Sequence, residues 1–461
     1  MFFQNCRAPL LVLSVILPVS GHAQKPAGVL INVSRSPHTV EVNLTAAPAT
    51  LSIVPGTKTP SYAYNGRVPG PILEVYEGDH VIVHFHNRLP TASTIHWHGI
   101  HLPAVFDGSP LNPVPAGADF DYKFTPERGS AGTYWYHPHP GEITGEQIAK
   151  GLFGALIVRA RDDPLRGIPE RVIILSDNRF NPDGTVSFAD PASPAGKIDE
   201  ENGREGPMLF VNGKRMPVMS IRSGEVQRWR IVNASAARVF RLAIPGQTLI
   251  HVGNDGGLFE RPLEVKDIIV SPSERVEILV RGTGKPGTRT VLQDLPYDRY
   301  VPQTRPQDWD VPHDLMTLAY TKEKPIRPVV IPAKLRHIVP IDTTLATVHR
   351  VFTLQQGFIN GKVHDMHRVD ETAKLGAVEI WEVENIVGMD HPFHLHGFQF
   401  QVIDRDGVPE PFTSWKDTID VPKHSVVRFV VQFSDFAGKW MYHCHILDHE
   451  DHGMMGVLEV K

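Results

Sequence analysis

Histidines separated by a single residue are the most informative feature of this chain. Five His-x-His pairs occur, His84/His86, His96/His98, His137/His139, His394/His396 and His443/His445, against about one expected from 24 histidines in 461 positions. On a strand, residues two apart point to the same face, so each pair can offer two imidazoles to one metal region. Imidazole suits copper, zinc, iron or nickel, so the ligand type alone leaves the metal open.

Cys444 narrows the choice. It is flanked by His443 and His445, His449 and Met454 follow it, and His391 comes from an earlier strand region. Two imidazoles, one thiolate and a weak axial thioether describe a blue-copper electron-transfer centre. Met454 is the ligand by spacing, whereas Met455 reads as a core methionine. His443 and His445, covalent neighbours of Cys444, can bind a different cluster, which gives a short through-bond electron path between the two sites.

The elements that must carry these residues are strands. Runs such as Val81-Ile82-Val83-His84-Phe85-His86, Val226 to Val232 and Ala377 to Val383 are β-branched and aromatic with partial alternation. They sit in a repeated frame: Asn65-Gly66, Gly78 and Asn87; Asn212-Gly213, Gly224 and Asn233; Asn360-Gly361, Gly376 and Asn385. The interval of about 150 residues implies three homologous units, and the Asn-Gly dipeptides signal tight turns between strands. The expected fold is therefore all-β, three Greek-key β-sandwich domains in tandem. With 38 Gly and 40 Pro, the composition agrees.

The predicted domains are 24–162, 163–325 and 326–461, with boundaries at Arg159-Ala160-Arg161-Asp162-Asp163-Pro164 and at the Pro-rich span 322–332. His96-Trp97-His98-Gly99 in the first domain echoes His394-Leu395-His396-Gly397 in the third, and Tyr136-His137-Pro138-His139 echoes Tyr442-His443-Cys444-His445. The second domain has no counterpart. Domains one and three are thus expected to face each other and pool eight imidazoles. His84/His86 matches Trp229/Ile231 and Glu382/Glu384 in the other copies and reads as the solvated or packing face of a strand.

Residues 1–23 place Arg7 before an apolar run and end on Gly21-His22-Ala23, the pattern of a signal peptide cleaved after Ala23. No other long apolar stretch follows, so no membrane span is expected in the mature chain. Export is expected by the general secretory route, since no twin-arginine pair is present. Cys6 leaves with the signal, so Cys444 is the lone thiol and an internal disulfide is excluded. A net charge of -5 without a basic run excludes nucleic acid as a partner.

Across the whole mature chain these motifs resemble the three-domain multicopper oxidases, most of all the bacterial laccases and periplasmic cuprous oxidases. The segments that carry the resemblance are His96-Trp97-His98-Gly99, Trp135-Tyr136-His137-Pro138-His139, His391-Pro392-Phe393-His394-Leu395-His396-Gly397, and His443-Cys444-His445 through His449 to Met454. It implies cupredoxin-like domains and four copper ions. A type 1 ion would be held by His391, Cys444, His449 and Met454. His96 and His394 would bind the type 2 ion, and His98, His137, His139, His396, His443 and His445 the type 3 pair. Asp107 and Glu450 match the family's acidic proton-relay positions; read without the family, Asp107-Gly108 is a turn and Glu450 a loop acid. His101, His364, His367 and His452 do not fit the ligand pattern.

The implied reaction is one-electron oxidation of a reductant at the type 1 site, coupled to reduction of dioxygen to water. Phenols and aromatic amines are the expected reductants, with Cu(I) as the alternative, and the chain is expected to act as a monomer. Some cuprous oxidases carry a long Met-rich segment over the type 1 copper; this chain has 10 Met in all, clustered only at Met216/Met219 and Met454/Met455. In that place stands 296–313, expected to be an exposed loop on whose Tyr297, Tyr300 and Trp309 a phenol could stack. A copper-free scaffold protein of the same fold is a different class of function, and the filled ligand positions weigh against it.

Overall fold

The repeated Asn-Gly dipeptides turn the chain in the same way three times. In the computed structural model, which describes residues 28–461, Asn65, Asn212 and Asn360 have φ of 50°, 52° and 53°, and the glycines after them 73°, 72° and 67°. Two successive left-handed residues make a type I′ turn, which Asn and Gly tolerate best. Arg67 N donates to Tyr64 O, Lys214 N to Val211 O and Lys362 N to Ile359 O, closing each turn. One arm is a strand. The other is a single bridge residue rather than the expected second strand.

The asparagine side chains explain why they recur. Oδ1 of Asn65 accepts from Thr45 N at 2.7 Å and its Nδ2 donates to Asn43 O at 3.1 Å. Asn212 does the same with Ile174 and Val172, and Asn360 with Thr353 and Val351. At the far end of each unit, Nδ2 of Asn87 donates to Thr91 and Val114 carbonyls, Asn233 to those of Arg238 and Val270, and Asn385 to those of Met389 and Val421. The repeat is a set of side chains that satisfy backbone groups, exposed or half-buried at the Asn-Gly turns and largely buried at the far ends.

Each unit is two facing sheets. In the first, strands 59–64, 39–51, 80–87 and 119–124 form one sheet and 73–76, 154–159, 132–137 and 96–98 the other. Leu44, Val83 and Phe85 from one meet Trp97, Tyr136 and Leu156 from the other in a common core. The second unit runs from Glu170 to Tyr320 and packs Trp229 and Ile278 against Leu242 and Leu318. The third, from Ala346 to Val460, packs Trp381 and Phe429 against Phe393, Leu395 and Cys444. The all-β expectation holds.

Residues 1–27, which include the expected signal segment and Cys6, lie outside the described residues. Among those described, no helix is long and apolar enough to cross a membrane.

Candidate metal centre

Strand alternation decides which side chains leave the sandwiches. In the first unit Trp97 and Tyr136 point into their own core, so His96, His98 and His137 point out of it. In the third, Leu395, Tyr442 and Cys444 point inward and His394, His396, His443 and His445 outward. The pairings are equivalent: His96 lies opposite His137, and His394 opposite His443. The outward faces meet, and all eight imidazoles are at most 1 % exposed.

Their nitrogens gather in sets. His98, His137 and His445 form one trio and His139, His396 and His443 another, while His96 approaches His394 with Nε2 to Nε2 at 3.4 Å. His391, Cys444 and His449 form a separate group, with Sγ at 3.3 Å from Nδ1 of His391 and 3.6 Å from Nδ1 of His449. His443, Cys444 and His445 are consecutive, so one strand end reaches three of these groups. Met454 is buried beside Cys444; its carbonyl accepts from Cys444 N at 3.1 Å and its N–H donates to His449 O at 2.8 Å.

The protonation states follow from the hydrogen bonds. Burial, the largest cause, lowers the pKa of His96 to about 4 and of His443 to about 3, and lowers the other six as well. Neutral imidazole carries one proton and one lone pair. Nδ1–H of His96 donates to Asp107 O and Nδ1–H of His394 to Asp417 O, both at 2.8 Å, so their facing Nε2 atoms carry lone pairs. The same holds for His396, whose Nδ1 donates to Asp107 Oδ2 at 2.8 Å, and His443, whose Nδ1 donates to Cys444 O at 3.0 Å. Their Nε2 atoms are only 3.0 Å apart. Lone pairs at such distances repel unless a cation lies between them. Nε2 of His137, Nδ1 of His98 and both ring nitrogens of His139 and His445 are likewise buried without a hydrogen-bond partner. The donor set fits metal ions, and the buried thiol, whose pKa burial raises, fits a soft one.

Asp107 and Glu450 are both in place. Asp107 binds His396 through its carboxylate and His96 through its carbonyl. Glu450 is fully buried, with Oε1 3.2 Å from Nδ1 of His139 and Oε2 3.2 Å from Nδ1 of His443. Burial raises both carboxyls well above the usual range, with Asp451 adding to the shift at Glu450. Asp451 in turn accepts from Thr144 N and Gly145 N at 2.9 and 2.8 Å.

Sequence reasoning missed Asp417, Thr418 and Arg275, which have no motif spacing to reveal them. Oδ1 of Asp417 accepts from Nε2 of His98 at 3.0 Å, and Arg275 of the middle unit binds both oxygens of that carboxylate.

Residues 301–312 form an irregular, half-buried to exposed stretch as expected, and the expectation is corrected at Tyr300. Tyr300 is buried and donates to Glu205 at 2.9 Å, and Tyr297 OH donates to Asp390, next to His391, at 2.7 Å. The carbonyl of Arg299 accepts from Asp390 N at 3.0 Å. Tyr300 is tied down by Glu205 and offers no open stacking face, whereas Tyr297 is half-buried and lines a cavity with His251, Phe412 and Asp420; the half-buried Trp309 lies under the Arg305 guanidinium. His84 and His86 sit on the outer sheet face. His84 binds Asp121 and Glu41, and His86 binds Asp119 and Asn43.

Models of the multicopper oxidase family match residues 45–163, 133–320 and 338–461. The chain is 32% identical over 422 residues to a multicopper oxidase of Staphylococcus aureus, covering 88% of this chain and 85% of that one. The chain belongs to the multicopper oxidase family. Among solved structures, this multicopper oxidase is similar to one from Campylobacter jejuni described as a metallo-oxidase (TM-score 0.86, 34% identity, 95% of each chain). It is also similar to a laccase of Pediococcus acidilactici (TM-score 0.83, 30% identity, 95% of this chain and 93% of that one). As a family member it is a copper oxidoreductase that uses dioxygen as acceptor.

Proposed function

We propose that the protein is a laccase-like oxidase. It takes electrons singly from phenols or aromatic amines at a type 1 copper and delivers them to dioxygen at a trinuclear cluster. The observation that carries this reading is the pair of close Nε2 contacts, His96 to His394 and His396 to His443, between buried neutral rings whose protons are committed elsewhere. His391, Cys444, His449 and Met454 would hold the type 1 ion, His96 and His394 the type 2 ion, and the two histidine trios one type 3 ion each. Copper, when bound, supplies one-electron steps, four of which reduce dioxygen to two waters.

The protein's own groups do the rest. The His443-Cys444-His445 backbone would join the thiolate that holds the type 1 ion to both trios. Glu450 and Asp107, dry and raised in pKa, hold protons beside the imidazoles where water must form. The sandwich faces exclude bulk water from the cluster. The chain acts outside the cytoplasm, secreted or periplasmic, as a monomer.

A second reading, oxidation of Cu(I), is favoured by one observation. His449 is 2% exposed and His391 is fully buried, so no phenol ring reaches either imidazole edge. The test is optical absorption of the copper-loaded protein together with oxygen uptake on a simple phenol and on Cu(I). A blue thiolate band with phenol-driven uptake supports the laccase reading. Uptake with Cu(I) alone selects the second, and absence of the blue band with Cys444 intact defeats both.

A further inference from the structure

His98 is turned the opposite way from the other rings with assigned protons. In His96, His137, His394, His396 and His443 the Nδ1 atom is engaged by an oxygen. In His98 it is Nε2 that binds, to Asp417 Oδ1 at 3.0 Å and Thr418 Oγ1 at 3.1 Å, and Nδ1 is left without a partner. A carboxylate can only accept, so Nε2 carries the proton and Nδ1 the lone pair. The tautomer of His98 is therefore set by where Asp417 points.

What points Asp417 is an arginine from the one unit that supplies none of the candidate ligands. Nη1 of Arg275 donates to Asp417 Oδ1 at 2.8 Å and Nη2 to Oδ2, a bidentate fork that fixes the carboxylate plane. The fork is itself held: Nη1 also donates to Ser273 O at 2.9 Å, Nε to Thr133 O of the first unit at 3.2 Å, and the Arg275 N–H to Asp255 Oδ1 at 2.8 Å. Arg275, Asp255 and Asp417 are at most 1 % exposed. Gly99, the last residue of His96-Trp97-His98-Gly99, has φ +88°, and a Cβ there would lie 2.4 Å from Asp417 Oδ2 and 2.7 Å from Arg275 Nη2. The motif ends in glycine because the ion pair fills the space behind it.

We propose that Arg275 is a positioning residue for the trinuclear cluster: through Asp417 it makes His98 present Nδ1, so the ligand-free middle unit determines the cluster's geometry. This rests on the four-copper reading above. A lysine cannot reproduce the fork but can partly replace the contact.

The test uses Arg275→Met, Arg275→Lys and Asp417→Asn in the copper-loaded full chain, with copper per chain, the type 2 paramagnetic resonance signal and the near-ultraviolet shoulder as readouts. The type 1 blue band, whose ligands all come from the third unit, reports folding. Arg275→Met and Asp417→Asn should keep the blue band and lose at least half of the near-ultraviolet shoulder and of the copper at the type 3 pair, with Arg275→Lys recovering part of both. Should Arg275→Met fail to fold, the near-isosteric Asp417→Asn carries the test. A full near-ultraviolet shoulder with full copper content in the variant that folds overturns the proposal. Absence of the shoulder and of the type 2 signal from the unsubstituted protein overturns the four-copper reading instead.

Discussion

The carbonyl oxygen of Glu201 accepts a hydrogen bond from Nε2 of His449 at 3.0 Å. Glu201 lies on the helix Pro194–Asn202 of the middle unit, and the chain just after it is stitched to the helix Leu447–Asp451 by Arg204 N donating to Asp448 Oδ2 at 2.7 Å. The ring edge through which an electron would enter is thus covered by backbone. A reductant must act across this strap, and bulk counts against it. Replacing 194–202 by a short Gly-Ser link should raise kcat/KM for a bulky phenol about tenfold, roughly 1.4 kcal/mol, and leave Cu(I) oxidation little changed. An unaltered phenol rate in the trimmed protein would show that the strap does not limit access.

Glu450 has two buried oxygens without a hydrogen-bond partner, between His139 and His443. Glu450→Gln keeps its shape and removes its proton transfer. Oxygen-reduction turnover should fall about 10²-fold, the usual size of a lost general acid, with copper content and blue band unchanged. An equal kcat in the variant rules the relay out.

Met454→Leu removes the only sulfur besides Cys444 that the spacing offers to the type 1 ion. The type 1 reduction potential should rise, because the axial thioether stabilises the oxidised ion. Redox titration of the blue band reads this directly; a potential that stays put or falls removes Met454 from the ligand set.

Asn385 is buried and its amide satisfies the carbonyls of Met389 and Val421 at 2.7 and 2.9 Å. Asn385→Ala strands both, and should cost about 2–4 kcal/mol of stability. Chemical denaturation followed by tryptophan fluorescence measures it. A loss below about 1 kcal/mol would mean that water replaces the amide.

Hydrogen bonds to Glu41 and Asp121 raise the pKa of His84 above 6.5. A raised folded-state value means the stabilisation is complete below the unfolded pKa and disappears as pH climbs through the folded one. His84→Gln should cost about 0.5 kcal/mol near pH 5.5 and nothing near pH 9. A penalty that is the same at both would assign the loss to packing.

The local features of this protein were legible because they act locally. Strand alternation makes His-x-His a two-ligand unit wherever it falls, and Asn-Gly adopts left-handed backbone without outside help. The same logic failed for Tyr297 and Tyr300, whose polar, proline-rich context reads as exposed. Tyr297 is half-buried and Tyr300 buried through Asp390 and Glu205, some 93 and 95 residues away, and no local pattern signals such partners.

Chain order alone determined the all-β class, the threefold repeat, the outward histidines of the first and third units and the adjacency of Cys444 to two of them. The tertiary structure decided which of the eight imidazoles approach one another, which nitrogen His96, His98, His394 and His443 present, and what covers His449. Those outcomes depend on carbonyls, Asp417, Arg275 and Glu201 brought together from all three units. A hydrogen bond between residues 142 positions apart, as between Arg275 and Asp417, is a property of packing and leaves no periodicity behind.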